Sequence, residues 1–467
     1  MKIAFHGAVQ TVTGSKHLIS LTNGKKVLLD CGLYQGMGKE TDALNRDFGF
    51  NPAEVTCVLL SHAHADHCGL LPRLVKEGFN GKIYATSATI DVAKIILQDS
   101  AYIQRQDITF LNKRRHEEGR NLLEPLYTEE DVFQTFEHFV PVPYYQTVEV
   151  DKDIRFELFN AGHIVGSATI YLTLTENGKR TTIAFSGDVG RYGDPILYSP
   201  QAFPQADYIL IESTYGNKLH GPTDSYAEEL CKHIEETCIR KKGKLIIPAF
   251  SVGRTQELLY ALNDLELSGR LPALKYYLDS PMSTKVTDIV KRHPECFNRS
   301  LQKLLKTDND PFSFKGLQYI ADKRESQALN SDYSPMVIIS ASGMAEAGRV
   351  KHHIANSIEN WRNTVLLIGY CEPQSLGARL KERPETVNIF GLPYTVKADI
   401  RTIDSMSAHA DYNDLCQYLS CQVPSEVKRI FIVHGEPTVQ TEFKRRLMKK
   451  GFRDVEIPEL HQEFGLG

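Results

Sequence analysis

Residues 61–69 read SHAHADHCG, and this stretch decides how the chain is interpreted. It holds one carboxylate, Asp66, and three imidazoles, those of His62, His64 and His67. The preceding run VTCVLL has the apolar composition of a buried strand, so the cluster is expected in the loop that follows it. A helix would turn His62 and His64 to different faces, whereas a loop can direct both inward. Imidazole suits zinc and a carboxylate can serve a second ion, so the stretch predicts a metal centre.

Polar side chains also follow other predicted strands along the chain. They stand after the runs KKVLL, IRFELFNAG, TTIAFSG, DYILI and RIFIV, and they are Asp30, His163, Asp188, Glu212 and His434. Ligands of open α/β sheets collect at the carboxyl ends of strands. Histidines that merely hydrogen-bond a polar turn would explain a lone HxH, but they do not explain residues at six strand ends. The metal-binding types exceed what one tetrahedral zinc uses and suffice for two.

Length and composition indicate a globular α/β protein of more than one domain. The 467 residues suggest two or three domains, and the content of 42% hydrophobic and 24% charged residues is ordinary for such proteins. Short β-rich runs alternate with amphipathic helical stretches, which favours α/β layers. The net charge of −4 excludes a global basic field, so a nucleic-acid substrate would require local positive charge or metal.

The cysteines and the hydropathy pattern favour a cytoplasmic protein. Nine cysteines are present, an odd number, and no CxxC pair occurs, so neither a disulfide framework nor a thiolate zinc site is expected. The start MKIAFHGAVQTVTG lacks the apolar segment of a signal peptide. No apolar run approaches the roughly 18 residues that a membrane span needs, and we predict no membrane partner.

Several motifs carry a resemblance to a known family. HAHADH, the AGHIVGS segment, the FSGD segment and the opening GAVQTVTGS with LLDCG resemble the metallo-β-lactamase fold. ESTYG, PAFSVGRTQELL, SGM with GR, MSAHAD and VHGE resemble the β-CASP branch of that superfamily, which processes nucleic acids. The resemblance implies an αββα sandwich interrupted by an α/β domain. We place the two parts of the sandwich at 1–212 and 396–467, and the insert at 213–395.

The resemblance also implies two zinc ions per chain and a role for each polar residue. It assigns the first ion to His62, His64 and His163. It assigns the second ion to Asp66, His67 and His434. Asp188 would bridge both ions, and Asp30 would orient a ligand from outside, as expected for a metal-bound histidine.

A second AHAD stands at 408–411, but Ser407 and Tyr412 replace two ligand positions of the first copy. It therefore cannot hold metal as the first copy does. The resemblance makes His409 the proton donor, paired with Glu212. Asp411 is expected to cap the helix YNDLCQYL. The predicted catalytic set is Asp66, Asp188, Glu212 and His409.

Three strands of the predicted insert run into Ser/Gly turns that suit phosphate groups. The turns and the arginines near them give a predicted RNA-phosphate set of Ser251, Arg254, Ser342, Gly343, Arg349, Ser375 and Arg379. Ordinary helix capping by serine and glycine explains any single turn. The recurrence of the pattern favours contact with a strand of RNA.

The expected function is hydrolysis of phosphodiester bonds in single-stranded RNA at a dinuclear zinc centre, leaving 5′-phosphate and 3′-hydroxyl ends. His434 favours RNA, because DNA-repair members of the family usually carry valine at that position. A DNA nuclease of the same family, a thioester hydrolase and a non-catalytic RNA-binding scaffold remain alternatives. Both endonuclease and exonuclease modes stay open, and a homodimer is expected by similarity.

Overall fold

A computed structural model describes residues 1–221, 226–369, 371, 374–403 and 406–467. The chain forms two compact units. The first, the sandwich unit, consists of Met1–Tyr192, Ser199–Leu219 and His409–Gly467. The second, the insert unit, consists of Gly193–Tyr198 and His220–Ala408. Among the described helices, none combines the length and the apolar character that crossing a membrane requires. All nine cysteines lie in described residues, and none of them forms a disulfide.

The first part of the sandwich unit contains eleven strands and five helices. The strands are β1 (Lys2–Phe5), β2 (His17–Ser20), β3 (Lys26–Leu29), β4 (Cys57–Leu59), β5 (Lys82–Ala85), β6 (Phe139–Pro141), β7 (Val148–Asp151), β8 (Ile154–Asn160), β9 (Ala168–Glu176), β10 (Lys179–Phe185) and β11 (Tyr208–Ile211). The helices are α1 (Thr41–Arg46), α2 (Ala65–Cys68), α3 (Leu71–Lys76), α4 (Ser87–Glu117) and α5 (Glu129–Phe136).

The insert unit alternates strands and helices, as its sequence pattern predicts. Its strands are β12 (Lys244–Pro248), β13 (Lys275–Leu278), β14 (Leu317–Tyr319), β15 (Met336–Ser340), β16 (Thr364–Ile368), β17 (Thr386–Ile389), β18 (Leu392–Thr395) and β19 (Asp399–Ile403). Its helices are α6 (Tyr226–Ile234), α7 (Arg254–Leu267), α8 (Pro281–Arg292), α9 (Arg299–Leu304), α10 (Lys323–Ser331), α11 (Arg349–Ser357) and α12 (Leu376–Lys381). A π-helical segment, Glu235–Arg240, continues α6.

The chain then returns to the sandwich unit. The returning elements are α13 (Tyr412–Tyr418), β20 (Arg429–Ile432), α14 (Pro437–Lys449), β21 (Val455–Glu456) and β22 (Glu463–Gly465). Short 3-10 turns occur at Gly38–Glu40, Pro52–Glu54, Pro294–Cys296 and Leu419–Cys421.

Two seven-stranded sheets form the sandwich, in the orders β22-β1-β2-β3-β4-β5-β6 and β21-β20-β11-β10-β9-β8-β7. Successive side chains of a strand point to opposite faces. Leu210 and Phe431 accordingly join the core between the sheets, where the ring centroids of Phe5 and Phe431 lie 4.9 Å apart. Their neighbours Ile209 and Ile430 face the other way and pack in a second core with residues of α13 and α14. The predicted α/β class and the layered sandwich are confirmed.

The insert unit is built on a parallel six-stranded sheet in the order β14-β13-β15-β12-β16-β19. Strands β12, β15 and β16 are buried along their whole length, which is typical of a parallel sheet covered by helices on both faces. The compact unit extends to Ala408, beyond the predicted edge at 395. The reason is that β19 pairs with β16 and so completes this sheet rather than the sandwich.

The fully buried Lys16 forms hydrogen bonds to two loops of the sandwich unit. Its Nζ donates to the carbonyl oxygens of Gly14 and Gly32, each at 3.1 Å, and lies 4.3 Å from the centroid of the Tyr34 ring. Burial lowers the pKa of Lys16 from 10.5 to about 8. The side chain therefore remains charged at neutral pH, where burial of that charge costs stability.

Replacing Lys16 with methionine tests this burial cost. Between the folded pKa of about 8 and the unfolded value of 10.5, the unfolded chain binds more protons, so the contribution of Lys16 to stability rises with pH. Over this range we expect the free energy of unfolding of wild type to rise, relative to that of Lys16→Met, by up to about 3 kcal/mol. Melting temperatures at about pH 7.5 and about pH 9.5 measure the change. Lys2→Met, which alters an exposed ion pair with Glu463, is the control. A difference in melting temperature between wild type and Lys16→Met that does not vary with pH would contradict the prediction.

Candidate metal centre

The predicted polar residues lie just beyond the carboxyl ends of their strands. Strand β4 ends at Leu59, His62 and His64 follow in a loop, and α2 begins at Ala65. Four other strands end one to three residues before a predicted site residue. They are β3, β8, β10 and β20, and the residues that follow them are Asp30, His163, Asp188 and His434, respectively. The sequence-based placement is confirmed for each of these residues.

One group of donor atoms is formed by His62, His64, His163 and Asp188. The Nδ1 atom of His64 lies 3.1 Å from His62 Nε2 and 3.2 Å from His163 Nε2. Asp188 Oδ2 lies 3.4 Å from His62 Nε2 and 3.5 Å from His163 Nε2. Ligand atoms bound at about 2.0–2.1 Å around a tetrahedral zinc are about 3.3 Å apart. These four donors therefore fit one zinc ion.

A second group is formed by Asp66, His67 and His434, with the other oxygen of Asp188 beside it. Asp188 Oδ1 lies 3.3 Å from His67 Nε2 and 3.6 Å from His434 Nε2. Asp66 Oδ2 lies 3.3 Å from His434 Nε2 and 3.8 Å from His67 Nε2. The spacing is slightly wider than in the first group but still suits a metal ion.

The Asp188 carboxylate lies between the two groups and points one oxygen at each. Both oxygens are buried and have no hydrogen-bond partner within the described parts of the chain, and the same holds for His67 Nε2. Burying polar atoms without partners is costly, and a buried charge usually pairs or coordinates a metal. The orphaned atoms therefore suit metal ligands, and Asp188 contributes one oxygen to each donor group.

Titration behaviour separates the two groups. Burial and the adjacent His67 lower the pKa of His62 to about 3, and burial lowers the pKa of His64 to about 4. These imidazoles are neutral at pH 7, the form that binds metal. Burial also lowers the pKa of His67, but the surrounding carboxylates, Asp188 first, outweigh it and raise that pKa well above its usual range. Metal uptake at His67 must therefore displace a proton.

Several residues contact the donor side chains from outside the two groups. Asp30 Oδ2 lies 2.6 Å from His67 Nδ1, and Asp30 also accepts hydrogen bonds from the backbone N–H and the hydroxyl of Ser61. Thr214 Oγ1 lies 3.0 Å from His434 Nδ1. Asp30 and His434 both have positive φ, 59° and 50°, a costly conformation that persists where the surroundings fix it. The sequence analysis missed Ser61 and Thr214, although each adjoins a predicted site residue within two positions.

His409 lies beside the first donor group and faces Glu212. Its Nδ1 is 3.2 Å from Glu212 Oε1 and 3.9 Å from Asp188 Oδ2. Glu212 is fully buried and accepts the backbone N–H groups of Val189 at 2.7 Å and Thr214 at 3.2 Å. Burial lowers the pKa of His409, but Glu212 and, less strongly, Asp188 raise it to about 9 overall. The imidazole is thus protonated at neutral pH.

Two further contacts near His409 bear on the sequence analysis. Donor atoms of Glu212, Asp188 and His434 also lie within 4.8 Å of one another and form a third group. Since the Glu212 oxygens already accept two backbone N–H groups and face His409, pairing with His409 is the better explanation. Asp411 accepts the N–H groups of Asn413 at 2.8 Å and Asp414 at 3.0 Å, and so caps α13 as predicted.

The predicted phosphate-binding arginines differ in their surroundings. Arg254 is 4% exposed, ion-paired with Glu257, and donates to the carbonyl oxygen of Met406 at 2.8 Å. Arg349 donates to Asp279 Oδ1 at 2.6 Å and to two backbone carbonyl oxygens. These partners are internal contacts of both arginines, and phosphate binding by Arg254 and Arg349 stays a prediction. Arg379, with its side chain 42% exposed, stays a candidate for contact with phosphate.

The Ser/Gly turns show ordinary structural contacts as well. Ser375 is the N-cap of α12 and accepts the N–H of Ala378 at 3.2 Å. Ser342 Oγ accepts the N–H of Ala347 at 3.4 Å, and the hydroxyls of Ser251 and Ser283 lie 3.1 Å apart. Gly343 packs so closely on Phe250 that a β-carbon would lie 2.5 Å from that ring. RNA contact at these turns stays a prediction.

Three family profiles match successive parts of the chain. The metallo-beta-lactamase superfamily domain covers residues 18–186, and the Beta-Casp domain covers residues 255–380. The Zn-dependent metallo-hydrolase RNA specificity domain covers residues 393–458. The two donor groups thus lie in a chain whose profiles describe metal-dependent hydrolases.

Curated relatives match over nearly the whole chain. Ribonuclease TTHA0252 of Thermus thermophilus is 35% identical, over 93% of this chain and 93% of its own. An RNase J-like protein of Methanocaldococcus jannaschii is 30% identical, over 96% of this chain and 95% of its own. The transcription termination factor FttA of Cenarchaeum symbiosum is 30% identical over 91% of this chain, which spans 64% of that factor. The chain therefore belongs to the β-CASP family of the metallo-β-lactamase superfamily and is a metal-dependent hydrolase.

Proposed function

We propose that this chain is a zinc-dependent ribonuclease that hydrolyses phosphodiester bonds of single-stranded RNA and leaves 5′-phosphate and 3′-hydroxyl ends. The observation that carries the proposal is the shared position of Asp188 between two donor groups, with His409 beside them. Two relatives bear the names ribonuclease and RNase J-like protein, which supports an RNA substrate. The RNA specificity profile over residues 393–458 supports RNA over a small thioester.

In this proposal each donor group would hold one zinc ion, and Asp188 would contribute one oxygen to each. When bound, zinc supplies Lewis acidity and lowers the pKa of water at the site to near 7. The carboxylates of Asp66 and Asp188 would offset part of the charge of two dications, so the loaded site would stay positive and attract a phosphate group. Asp30 faces Nδ1 of His67 and keeps that nitrogen protonated, so Nε2 is the atom that would bind metal once its own proton is displaced.

His409 is proposed as the general acid that protonates the leaving ribose oxygen. Glu212 faces its Nδ1, which leaves Nε2 to carry the transferred proton. The His409 side chain is 18% exposed, so a substrate atom can approach it, while Glu212 is immobilised by buried hydrogen bonds. A pKa of about 9 keeps His409 protonated before the reaction.

The first test is cleavage of matched single-stranded RNA and DNA, labelled at the 5′ end, by zinc-loaded protein. We expect RNA to be cleaved, cleavage to stop with a chelator, and zinc to restore it. The sizes of the labelled products distinguish internal cleavage from stepwise removal of 5′ nucleotides. His64→Ala should lose metal and activity together, because His64 contributes one of the four donors of the first group. Intact RNA despite two bound zinc ions would reject the proposal, and cleavage of DNA alone would establish a DNA nuclease.

His409→Ala should lower turnover by roughly 10²-fold or more, because a positioned acid contributes about that factor. The zinc content of the purified variant should equal that of wild type, since His409 is assigned to proton transfer. Single-turnover cleavage and elemental analysis of the same preparation measure both quantities. Loss of zinc in this variant would show that His409 is a ligand.

Glu212→Gln should change the pH profile in a defined direction. Glu212 is the main group that raises the pKa of His409, so its neutralisation lowers that pKa. A general acid loses activity as pH rises above its pKa, so the alkaline limb of kcat should move to lower pH. The profile of Asp42→Asn, which alters an exposed carboxylate paired with Arg46, should match wild type. An alkaline limb that does not move, or that moves upward, would contradict this role of Glu212.

Asp30→Asn should weaken zinc binding by about 10–100-fold, the usual effect of removing a carboxylate behind a metal-bound histidine. The direct contact of Asp30 with His67 is the reason for this expectation. Competition with a chromophoric chelator measures the dissociation constants, and Asp42→Asn again serves as control. If Asp30→Asn bound zinc as tightly as wild type, the proposed role of Asp30 in supporting zinc binding would be wrong.

A further inference from the structure

An exposed aromatic and basic cluster lies on the insert unit, where the β17–β18 hairpin meets α11. The rings of Phe390 and His352 are stacked, with centroids 4.5 Å apart and an angle of 30° between their planes. Lys351 Nζ lies 5.2 Å from the centroid of the Phe390 ring. Phe390 is 50% exposed, and Leu392 beside it is 59% exposed. We call Lys351, His352 and Phe390 the Phe390 cluster.

The backbone at Phe390 is unfavourable for a residue of its size. Ile389 pairs with Leu392, so Phe390 and Gly391 form a two-residue turn, and both have positive φ, 54° and 79°. Such turns prefer Asn-Gly, because positive φ is a genuine outlier for a bulky side chain. Since half of Phe390 is exposed, burial offsets little of this cost. Strain of this kind is typical of functional positions.

The hairpin that carries Phe390 is firmly attached to the insert unit. Val387 and Ile389 are 5% and 0% exposed and belong to the core on one face of the six-stranded sheet. The backbone N–H of Thr395, at the end of β18, donates to Glu359 Oε1 at 3.1 Å. The Phe390 ring is therefore presented on a fixed support, which lowers the entropy cost of binding a flat ligand.

Two lysines, Lys351 and Lys323, lie near the stacked rings. Burial is the main cause that lowers the pKa of the His352 imidazole, and His353, Lys323 and Lys351 lower it further. Lys351 Nζ donates to the backbone oxygen of Glu346 at 3.1 Å and is also ion-paired with Glu346 Oε1 at 3.3 Å. Glu346 lies in the turn that contains Ser342 and Gly343, two of the predicted phosphate-binding positions. The cluster thus adjoins a turn already expected to contact RNA.

We propose that the Phe390 cluster is a stacking subsite for a nucleobase of single-stranded RNA, with Lys351 beside it for the adjoining phosphate. Aromatic faces next to cations are the general means by which proteins hold single strands, and stacking tolerates any base. The subsite rests on the proposed ribonuclease function and deepens it, because it adds substrate affinity that does not depend on base sequence. A protein partner would be expected to need a wider apolar surface and fewer cations.

The test uses the full zinc-loaded chain with His409→Ala as a background that slows cleavage. It compares this background with Phe390 unchanged and with Phe390→Asn added. Binding of a short fluorescent oligoadenylate should weaken by roughly 10-fold, the order expected for losing one stacked base. The melting temperature should stay equal or rise, because Asn-Gly suits the turn. Phe390→Trp should retain affinity. Phe110→Ala, at a 76% exposed phenylalanine outside the cluster, is the matched control and should bind as wild type.

Two further measurements separate this subsite from the ribonuclease proposal. An abasic oligomer of the same length should bind wild type and Phe390→Asn equally, because it has no base to stack. With His409 intact, Phe390→Asn should raise KM for RNA and leave the hydrolysis of bis(p-nitrophenyl) phosphate unchanged. If Phe390→Asn bound oligoadenylate as tightly as wild type, the stacking subsite would be overturned. The ribonuclease proposal would be unaffected, because RNA cleavage is measured separately. Unchanged RNA affinity together with lost self-association in light scattering would identify the cluster as a protein contact instead.

Discussion

The buried carboxylate of Asp188 is the constraint on which the rest of the site depends. Its two oxygens face different groups of imidazoles and have no hydrogen-bond partner within the described residues. The loops around it must therefore approach closely. A β-carbon on Gly32 would lie 1.6 Å from the backbone oxygen of Asp66, and one on Gly190 would lie 1.8 Å from that of Gly162. Glycine at these two positions lets the ligand-bearing loops pack backbone against backbone.

Much of this site could be predicted from the sequence because strand periodicity and strand ends are local signals. Apolar runs ending in His, Asp or Glu identified the edge of the sheets where the side chains meet. The partners of the arginines were not predictable in the same way. Asp279, which pairs with Arg349, is far from it in sequence, and only the fold brings them together. Glu257 lies three residues after Arg254, a helical spacing that could have indicated their ion pair.

The edge of the insert shows a second limit of sequence interpretation. The pattern of β19 indicates a strand but does not indicate which sheet it joins. Its pairing with β16 is a contact between distant residues, and this contact decides where the unit ends. The same limit applies to Ser61 and Thr214, whose hydroxyls act through the orientation of neighbouring side chains.

The two copies of AHAD show how helix position changes the role of one residue. In the first copy the helix begins at Ala65, so Asp66 lies within its first turn and its carboxylate remains available to the donor group. In the second copy the helix begins at Tyr412, so Asp411 is the N-cap and its carboxylate binds backbone N–H groups. The helix begins at a different position relative to the same tetrapeptide in the two copies. For this reason Asp66 is available to the donor group, whereas Asp411 caps a helix.

The donor groups draw on residues from both sides of the insert, and this has a consequence for synthesis on the ribosome. In the proposed ligand set, the second ion needs His434, which is translated long after His67 and after the whole insert. At about 5–20 residues per second, the delay between them is roughly 20–70 s. A nascent chain would hold at most an incomplete centre during that time. The order of the sequence would therefore delay the completion of the centre until the polypeptide has passed the insert.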